Sequence, residues 1–393
     1  MIERAGAIRA AKRMDRIPPY LFAEIDRKVS AKRAAGVDVI TLDVGDPDLP
    51  TPPFVVEAAA KALRDPANHR YPSYYGLRSL RVAQAEWYRR RFGVELDPDT
   101  EVLPLIGSKE GIAHLPIALV DPGDAVLCPD PGYPVYVTGA IMADAEPYRL
   151  PLREENGFLP DLSAIPAEVL RRARLLWLNY PNNPTAAVAS DAFFEQAIAF
   201  CREHGIVLAH DAPYTEIAYD GYRAPSVLQY QGAREVAVEF HSLSKTYDMT
   251  GWRVAMCAGN AEVVKLLGQV KTNVDSGIFQ AVQLAAIEAM QEPEAELQRR
   301  NAVIRRRQVE VREAFAAVGI DIPLPRATFY LWGRVPRGFD SIGFAARVLD
   351  EVGVNITPGV GFGPSGEGWF RVSVTAPDAR IEEACERLRG LRL

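Results

Sequence analysis

From residue 101 onward, short apolar runs alternate with longer amphipathic stretches, a pattern typical of a parallel sheet with helices on both faces. The apolar runs predict strands at 101–106, 125–128, 175–178, 206–209, 236–240 and 253–258. The amphipathic stretches predict helices at 53–64, 112–119, 193–204 and 294–318, and a further helix that ends near residue 91. We therefore predict an α/β protein with a mostly parallel main sheet.

The two ends of the chain have a less regular pattern. An early strand is predicted at 39–44, and short strands and helices at 328–332, 342–352 and 369–375. In the last of these, apolar residues alternate with Arg371, Ser373 and Thr375. This leaves two interpretations of Arg371: a surface ion-pair partner, or a guanidinium fork that binds a carboxylate.

Composition narrows the class of protein. A chain of 393 residues exceeds what one hydrophobic core usually supports, so we predict two domains. A net charge of −6 argues against a nucleic-acid partner. We also expect no membrane association, because no apolar run approaches the roughly 20 residues of a membrane span and the N-terminus lacks a secretory core. The four cysteines are scattered, which predicts reduced thiols, no bound metal and a cytoplasmic location.

The most informative stretch follows the apolar run 236–240. Lys245 lies between Ser242, Ser244 and Thr246, and Arg253 comes eight residues later. In α/β proteins, ligands bind beyond the carboxyl ends of strands. Hydroxyl groups around one lysine, with an arginine nearby, suit an amine that forms a Schiff base beside a phosphate. A solvated lysine in a serine-rich loop is the alternative interpretation.

Other strand ends carry polar or aromatic residues. Gly107-Ser108-Lys109 opens a helix, so it can be a phosphate cradle or an ordinary turn capped by Ser108. Tyr133, held between prolines, can stack on a flat ligand or anchor its loop. Asp211 follows a buried strand and can pair with a cationic ligand or with an arginine.

These motifs resemble those of the fold-type I aminotransferases, which use pyridoxal 5′-phosphate. The resemblance is carried by Ser-Leu-Ser-Lys-Thr at 242–246, Gly-Trp-Arg at 251–253 and Asn-Pro-Thr at 183–185. It implies a large domain at 51–290 with a mostly parallel seven-stranded sheet between helices, and a smaller α+β domain at 291–393 to which an N-terminal segment at 1–50 contributes. The segments Ser-Lys-Glu-Gly-Ile, Pro-Gly-Tyr-Pro-Val-Tyr, 241–253 and 272–279 further resemble the LL-diaminopimelate aminotransferase branch of that family.

The resemblance implies a role for each candidate residue. Lys245 would form the Schiff base, Asp211 would pair with the pyridine nitrogen, and Tyr133 would stack on the ring. Asn183 and Tyr214 would donate to the phenolic oxygen, and Arg371 would hold the substrate carboxylate. The phosphate and its surroundings would be contacted by Ser108, Lys109, Ser242, Ser244, Arg253 and, from a neighbouring subunit, Tyr71. Further substrate contacts would come from Tyr20, Gly45, Asn183 and Asn273.

Two residues, Ala186 and Pro213, depart from the family pattern. Ala186 stands where the family motif has glycine. A positive φ would cost alanine about 1 kcal/mol, so we expect an ordinary turn conformation there.

The resemblance implies ping-pong transamination by a homodimer with shared active sites. Lys245 would move the substrate proton, and the exchange would run between LL-2,6-diaminopimelate and 2-oxoglutarate in lysine biosynthesis. A broad aspartate, alanine or aromatic aminotransferase would share the same cofactor residues. A lyase on this scaffold would differ only in the fate of the carbanion. A cofactor-sensing regulator would need a DNA-binding module, and the sequence has no basic region for one.

Overall fold

The computed structural model describes residues 8–17 and 21–393. Its strands are β1 (Ile40–Thr41), β2 (Val102–Leu105), β3 (Ala125–Asp130), β4 (Glu146–Pro151), β5 (Ala173–Leu178), β6 (Val207–Asp211), β7 (Ala237–Ser242), β8 (Ala255–Gly259), β9 (Tyr330–Arg334), β10 (Val354–Asn355), β11 (Thr357–Pro358) and β12 (Trp369–Ser373). Its helices are α1 (Leu21–Ala34), α2 (Pro53–Leu63), α3 (Arg78–Phe92), α4 (Ser108–Leu119), α5 (Val135–Met142), α6 (Ala167–Leu170), α7 (Asp191–His204), α8 (Ala233–Val236), α9 (Leu243–Thr246), α10 (Ala261–Val274), α11 (Gln280–Ala289), α12 (Glu294–Ala316), α13 (Ser341–Val352) and α14 (Asp378–Leu388).

The main sheet has seven strands in the order β2-β8-β7-β6-β5-β3-β4. Strand β8 is antiparallel to both neighbours, and the other pairs, from β7 to β4, are parallel. Six strands therefore present their carboxyl ends at one edge. The central strands are buried along their whole length, because helices cover both faces. The predicted mostly parallel sheet between helices is confirmed.

Two apolar clusters hold the helices onto this sheet. Leu176 and Leu208 face one cluster, which includes Trp87 of α3 and Phe194 of α7. The alternate positions along the same strands face the other cluster, built with helices α4, α5 and α10. Because strand side chains alternate between faces, apolar residues at consecutive positions satisfy both helix layers at once.

The remaining elements surround a third apolar cluster. An antiparallel sheet in the order β11-β12-β9 and the parallel pair β1-β10 pack with helices α12, α13 and α14. Ile40 and Leu42, from the N-terminal part of the chain, lie in this cluster with Phe315, Phe344 and Phe370. The arrangement agrees with a small domain built from both ends of the chain.

Some predicted boundaries were wrong. The strand predicted at 39–44 is limited to Ile40–Thr41, because the chain then changes partner: Leu42 N–H donates to Asn355, whereas its carbonyl accepts from Ser373. The strand predicted at 328–332 begins later, at Tyr330. Lys245 lies on a single helical turn, α9, and not in an irregular loop.

The described residues were compared with the requirements of disulfides, membrane spans and metal sites. All four cysteines are buried and unpaired. Within the described part of the chain, no helix is long and apolar enough to cross a membrane. Among these same residues, no three His, Cys, Asp or Glu side chains group as metal ligands.

Candidate active site

A cavity of about 440 Å³ lies where the carboxyl edge of the seven-stranded sheet meets the smaller sheet. It is lined by Val44, Gly45, Asp46, Ser108, Lys109, Tyr133, Asn179, Asn183, Asp211, Pro213, Tyr214, Ser242, Ser244, Lys245, Thr250, Arg253, Tyr330, Phe362 and Arg371. Twelve of these residues were candidates from sequence. They come from segments spread over more than 300 positions, so the fold has gathered them at one place.

Lys245 is a buried amine with one short hydrogen bond. Its Nζ donates to the carbonyl of Gly45 at 2.6 Å and lies 5.7 Å from the centre of the Phe329 ring. Burial lowers the pKa of Lys245 to about 8, and Asp46 partly opposes that shift. A lysine in this state readily exists as the neutral amine near neutral pH, which a nucleophile or a proton acceptor requires.

Asp211 ends β6 with one carboxylate oxygen engaged and one left over. Tyr136 donates to Oδ2 at 2.7 Å, whereas buried Oδ1 has no hydrogen-bond partner. Burial raises the pKa of Asp211 to about 6, although the Tyr136 hydrogen bond lowers it. A buried carboxylate oxygen without a donor is costly, so this position is suited to a ligand that brings a donor or a positive charge.

Arg371 is buried inside the cavity wall and is not a surface residue. Its Nη1 donates to Asn183 Oδ1 at 2.7 Å, and its Nη2 donates to the carbonyl of Asp43. The guanidinium carbon lies 4.3 Å from the Tyr330 ring centre and 4.6 Å from that of Phe362. Two aromatic rings thus hold the guanidinium, and no carboxylate of this chain forms an ion pair with it among the described residues.

Tyr214 and Tyr330 meet at the same wall. Their hydroxyl oxygens lie 3.1 Å apart, and either can donate. Burial raises the pKa of Tyr214 well above its usual value. Both phenols therefore remain protonated, and the one that accepts from the other keeps its own O–H to donate to a ligand oxygen in the cavity.

The turn before α4 forms the opposite end of the cavity. Gly107 has φ of 74° and is the N-cap residue, whereas Ser108 is the first residue of the helix. A Cβ at Gly107 would lie 2.1 Å from Arg253 Nη2, so the guanidinium occupies the space that a side chain would need, and the positive φ itself favours glycine. Backbone N–H groups, Ser108 and Arg253 together provide a site for an anion such as phosphate.

The expected ordinary conformation of Ala186 was wrong. Its φ is 58°, in the left-handed region where alanine is strained by roughly 1 kcal/mol. The turn is held by Ala186 N–H donating to Asn182 and Asn182 N–H donating to Ala187. Asn183 keeps its place because its own N–H donates to Asn179 Oδ1 at 2.8 Å.

Two of the candidates that the structure describes are not brought to this cavity. Tyr71 is 85% exposed, and Asn273, at the end of α10, is exposed and donates to Gln269. Neither lines the cavity of its own chain. Tyr20 lies outside the described residues.

Sequence reasoning missed four residues that shape the site. Tyr330, Phe362 and Asp46 line the cavity, and Tyr136 supports Asp211 from outside it. Asp46 and Tyr136 lie within a few residues of the candidates Gly45 and Tyr133, so their positions next to candidate residues could have indicated them. Tyr330 and Phe362 are far along the chain and carried no local signal.

The donor set fits a phosphate-bearing pyridine aldehyde. The cavity contains an anion site, the Asp211 oxygen that has no hydrogen-bond partner, phenol and amide donors, and a lysine amine that can lose its proton. Each of these features matches one group of pyridoxal phosphate: the phosphate, the ring nitrogen, the phenolic oxygen and the aldehyde.

Comparison with known proteins agrees with this chemistry. Residues 37–388 match the family described as aminotransferase class I and II. The chain belongs to this family and is a pyridoxal-phosphate-dependent aminotransferase. It is 57% identical over 380 residues to the LL-diaminopimelate aminotransferase of Desulforudis audaxviator, with 97% of each chain covered. It is 54% identical over 381 residues to the enzyme of that name from Aquifex aeolicus, covering 97% of this chain and 98% of the relative.

Solved structures give the same result for the fold. A probable N-succinyldiaminopimelate aminotransferase from Thermus thermophilus superposes with a TM-score of 0.89 at 40% identity, covering 95% of this chain and 100% of that one. Aspartate aminotransferase from the same species gives a TM-score of 0.90 at 29% identity, covering 98% and 100%. The fold is thus shared by aminotransferases named for different substrates.

Proposed function

We propose that this aminotransferase exchanges the amino group between LL-2,6-diaminopimelate and 2-oxoglutarate, as a step of lysine biosynthesis. The observation that carries the general reaction is the convergence of Lys245, Asp211 and Arg371 on one cavity. The choice of substrate is supported by the relatives that are 48–57% identical over nearly the whole chain, which bear the name LL-diaminopimelate aminotransferase.

The residues that would hold the cofactor can be grouped by the part of the cofactor that each would contact. Bound pyridoxal phosphate supplies an aldehyde for the amino group and a ring that takes up the electron pair left when the substrate loses its α proton. Asp211 Oδ1 would face the ring nitrogen, Tyr133 the ring, and Asn183 and Tyr214 the phenolic oxygen. The phosphate would be held by Ser108, Lys109, Ser242, Ser244 and Arg253.

Lys245 and Arg371 would act on the substrate itself. Arg371 has a rigid fork that can bind the α-carboxylate through two parallel hydrogen bonds, which orients the bond to the α proton. Lys245 Nζ, with its pKa near 8, can take that proton and return it at the neighbouring carbon. Aromatic walls at Tyr330 and Phe362 exclude water from around the guanidinium.

We propose that the active unit is a homodimer in which Tyr71 and Asn273 reach the neighbour's cavity. Exposed apolar and aromatic side chains occupy the two segments that carry these residues: Tyr71, Tyr74, Tyr75, Val274 and Phe279. The segments pack together, since a Cβ at Gly277 would lie 2.8 Å from the Ser73 carbonyl. An exposed patch of this composition is typical of a subunit interface.

Hybrid dimers test the shared site. Tyr71→Phe and Lys245→Ala subunits, each severely impaired alone, should regain activity on mixing, because one site of the hybrid contains both intact residues. Failure to regain activity after subunit exchange is demonstrated by mass spectrometry would argue against sharing.

A panel of amino donors tests the substrate assignment. With 2-oxoglutarate as acceptor, LL-diaminopimelate should give the highest kcat/KM, because polar groups that bind a distant zwitterion reject donors that lack it. Spectral conversion of the bound cofactor to its amine form upon addition of donor distinguishes transamination from a lyase reaction. If aspartate, alanine or an aromatic amino acid is the better donor, the LL-diaminopimelate assignment is wrong.

We further infer a division into domains and a cellular location. The division at residues 50 and 290 is supported by the separate apolar clusters of the large and small sheets. A cytoplasmic location is supported by four unpaired cysteines. A substrate contact by Tyr20 remains a prediction from sequence.

A further inference from the structure

Two arginines of helix α12 connect this helix to Lys245 by separate routes. Arg300 and Arg307 are seven residues apart, so they lie on the same face of the helix, two turns from one another. Neither lines the cavity. Each is largely buried, with side chains 16% and 3% exposed.

Arg300 contacts the backbone beside Lys245. Its Nη2 donates to the carbonyl of Thr246 at 2.8 Å, the residue directly after Lys245 in the single turn α9. Its Nε lies 3.0 Å from Asp248 Oδ2, and Glu292 accepts from both terminal nitrogens at 2.6 and 2.7 Å. The guanidinium therefore joins α12 to both residues that flank the turn's exit.

Arg307 contacts the loop that receives the lysine amine. Its terminal nitrogens donate to the two oxygens of Asp48 at 2.6 and 3.1 Å, and its Nε donates to Asp378 at 2.7 Å. Asp48 closes the segment that begins at Gly45, whose carbonyl accepts from Lys245 Nζ at 2.6 Å. The acceptor of the amine is thus tied to α12 as well.

The Lys245 turn needs such support from outside. A four-residue helix has almost no internal hydrogen bonds, and Asp248 just after it has a φ of 52°, in the left-handed region. Thr51 donates to the carbonyl of Asp248 at 2.7 Å, which adds one more contact to this strained exit. Arg300 adds its contacts with Thr246 and Asp248 at the same place.

We propose that Arg300 and Arg307 are positioning residues for Lys245: Arg300 holds the backbone of its turn, and Arg307 holds the loop whose carbonyl accepts from its amine. The inference rests on Lys245 being the cofactor lysine. Because α12 also packs on α14 and β9 of the smaller sheet, a shift of that sheet relative to the large one would move both ends of the Lys245 contact together.

The test compares three methionine variants of the cofactor-loaded enzyme with whichever amino donor the wild type uses. Arg300→Met and Arg307→Met should lower kcat about 10- to 100-fold while KM changes less than about threefold, because misplacing the amine affects proton transfer and not substrate binding. Arg299→Met, on the exposed side of the same helix where Arg299 pairs with Glu296, should leave both constants unchanged.

A spectroscopic titration gives a second measurement that is independent of turnover. The pH midpoint of the bound cofactor's absorbance, which reports its linkage to Lys245, should rise by about 0.3 pH units or more in Arg300→Met and Arg307→Met, because the carboxylate that each arginine neutralises, Asp248 or Asp48, then favours the protonated form of the linkage nitrogen. Borohydride reduction and peptide mass spectrometry must first locate the linkage at Lys245, and a linkage elsewhere would overturn the premise as well as the proposal.

If Arg300→Met does not fold, Arg300→Lys separates position from charge. Lysine keeps the positive charge but cannot contact Thr246, Asp248 and Glu292 together, so kcat should still fall about fivefold with an unchanged midpoint. Unchanged kcat and midpoint in a folded variant, accompanied only by a lower melting temperature, would show that the arginines merely stabilise the fold and would overturn the proposal.

Discussion

Neighbouring strands β6 and β7 each bury a carboxylate, and the two differ in how fully their oxygens are hydrogen-bonded. Glu239 accepts from Tyr88 at 3.0 Å, from Ser226 and the Val227 N–H at 2.8 Å, and contacts His210 at 2.9 Å. These contacts hold the pKa of Glu239 below its usual value despite complete burial. The carboxylate of Asp211, one strand away, accepts from Tyr136 alone among the described residues, and burial raises its pKa to about 6.

The difference separates a structural carboxylate from one that is available to a ligand. Full hydrogen bonding offsets the cost of burial, so Glu239 stabilises the sheet and has nothing left to bind. The burial of the Asp211 carboxylate has a free-energy cost that its hydrogen bonding does not offset, and a cationic ring nitrogen would remove this cost. Burial alone therefore does not identify a functional carboxylate, whereas an unmet hydrogen-bonding oxygen at a strand end does so in this protein.

Replacing the ligand-facing carboxylate should have the largest effect. Asp211→Asn should lower kcat by roughly 10²- to 10³-fold, because a neutral amide cannot stabilise a positive charge on the ring nitrogen. Stability without the cofactor should be equal or higher, since a buried charge is removed. Steady-state kinetics of both proteins measure the change in kcat, and urea unfolding of both proteins measures the change in stability. A near-normal kcat would contradict the role of Asp211.

Replacing the structural carboxylate should give the opposite result. Glu239→Gln should lower the free energy of unfolding by about 2–4 kcal/mol, because the new amide NH₂ faces donors and leaves them unpaired. The kcat of the folded fraction should stay within about threefold of wild type. Urea unfolding with kinetics in the same buffer measures both. Loss of turnover without loss of stability would contradict the distinction drawn between the two carboxylates.

The raised pKa of Asp211 predicts a specific dependence of stability on pH. The folded state binds this proton more tightly than the unfolded state, whose carboxyl has its usual pKa of 3.8. The contribution of Asp211 should therefore become more favourable as pH falls from about 6 toward 4, by at most roughly 3 kcal/mol. The burial-lowered pKa of His241, about 4, opposes this trend over an overlapping range.

The difference between wild type and Asp211→Asn isolates the aspartate, because His241 is common to both. Measured on cofactor-free protein, wild type should gain stability relative to the variant as pH falls through 6. Bound cofactor should abolish this gain, because a positive ring nitrogen lowers the pKa of the carboxylate. A pH-independent difference would show that folding leaves the pKa of Asp211 at its usual value.

The smallest effect should come from the one donor that Asp211 does have. Tyr136→Phe removes the 2.7 Å hydrogen bond and should raise the pKa of Asp211 further, lowering kcat about three- to tenfold. Tyr180→Phe is a matched control, because its hydroxyl donates only to the Phe158 carbonyl, outside the cavity lining. Equal kinetics in the two variants would contradict a role for Tyr136.

Sequence alone located the residues that follow strands. Lys245, Asp211, Asn183, Tyr133 and Ser108 each come soon after an apolar run, and parallel strands bring their carboxyl ends to one edge. The local sequence pattern is enough in such cases, because residues that follow parallel strands lie at the same edge of the sheet. The order and type of these residues were also sufficient to identify the family.

Tertiary structure decided what depends on distant partners. Arg371 and Asn183 meet across 188 positions, and the same meeting places Tyr330 and Phe362 around the guanidinium. The periodicity of hydrophobic residues does not indicate such a contact. The local sequence pattern therefore did not decide whether Arg371 lies on the surface or in the site. Ala186 likewise takes φ of 58° because hydrogen bonds in its turn outweigh a local preference of roughly 1 kcal/mol. Local preferences are weak, and packing at long range overrides them.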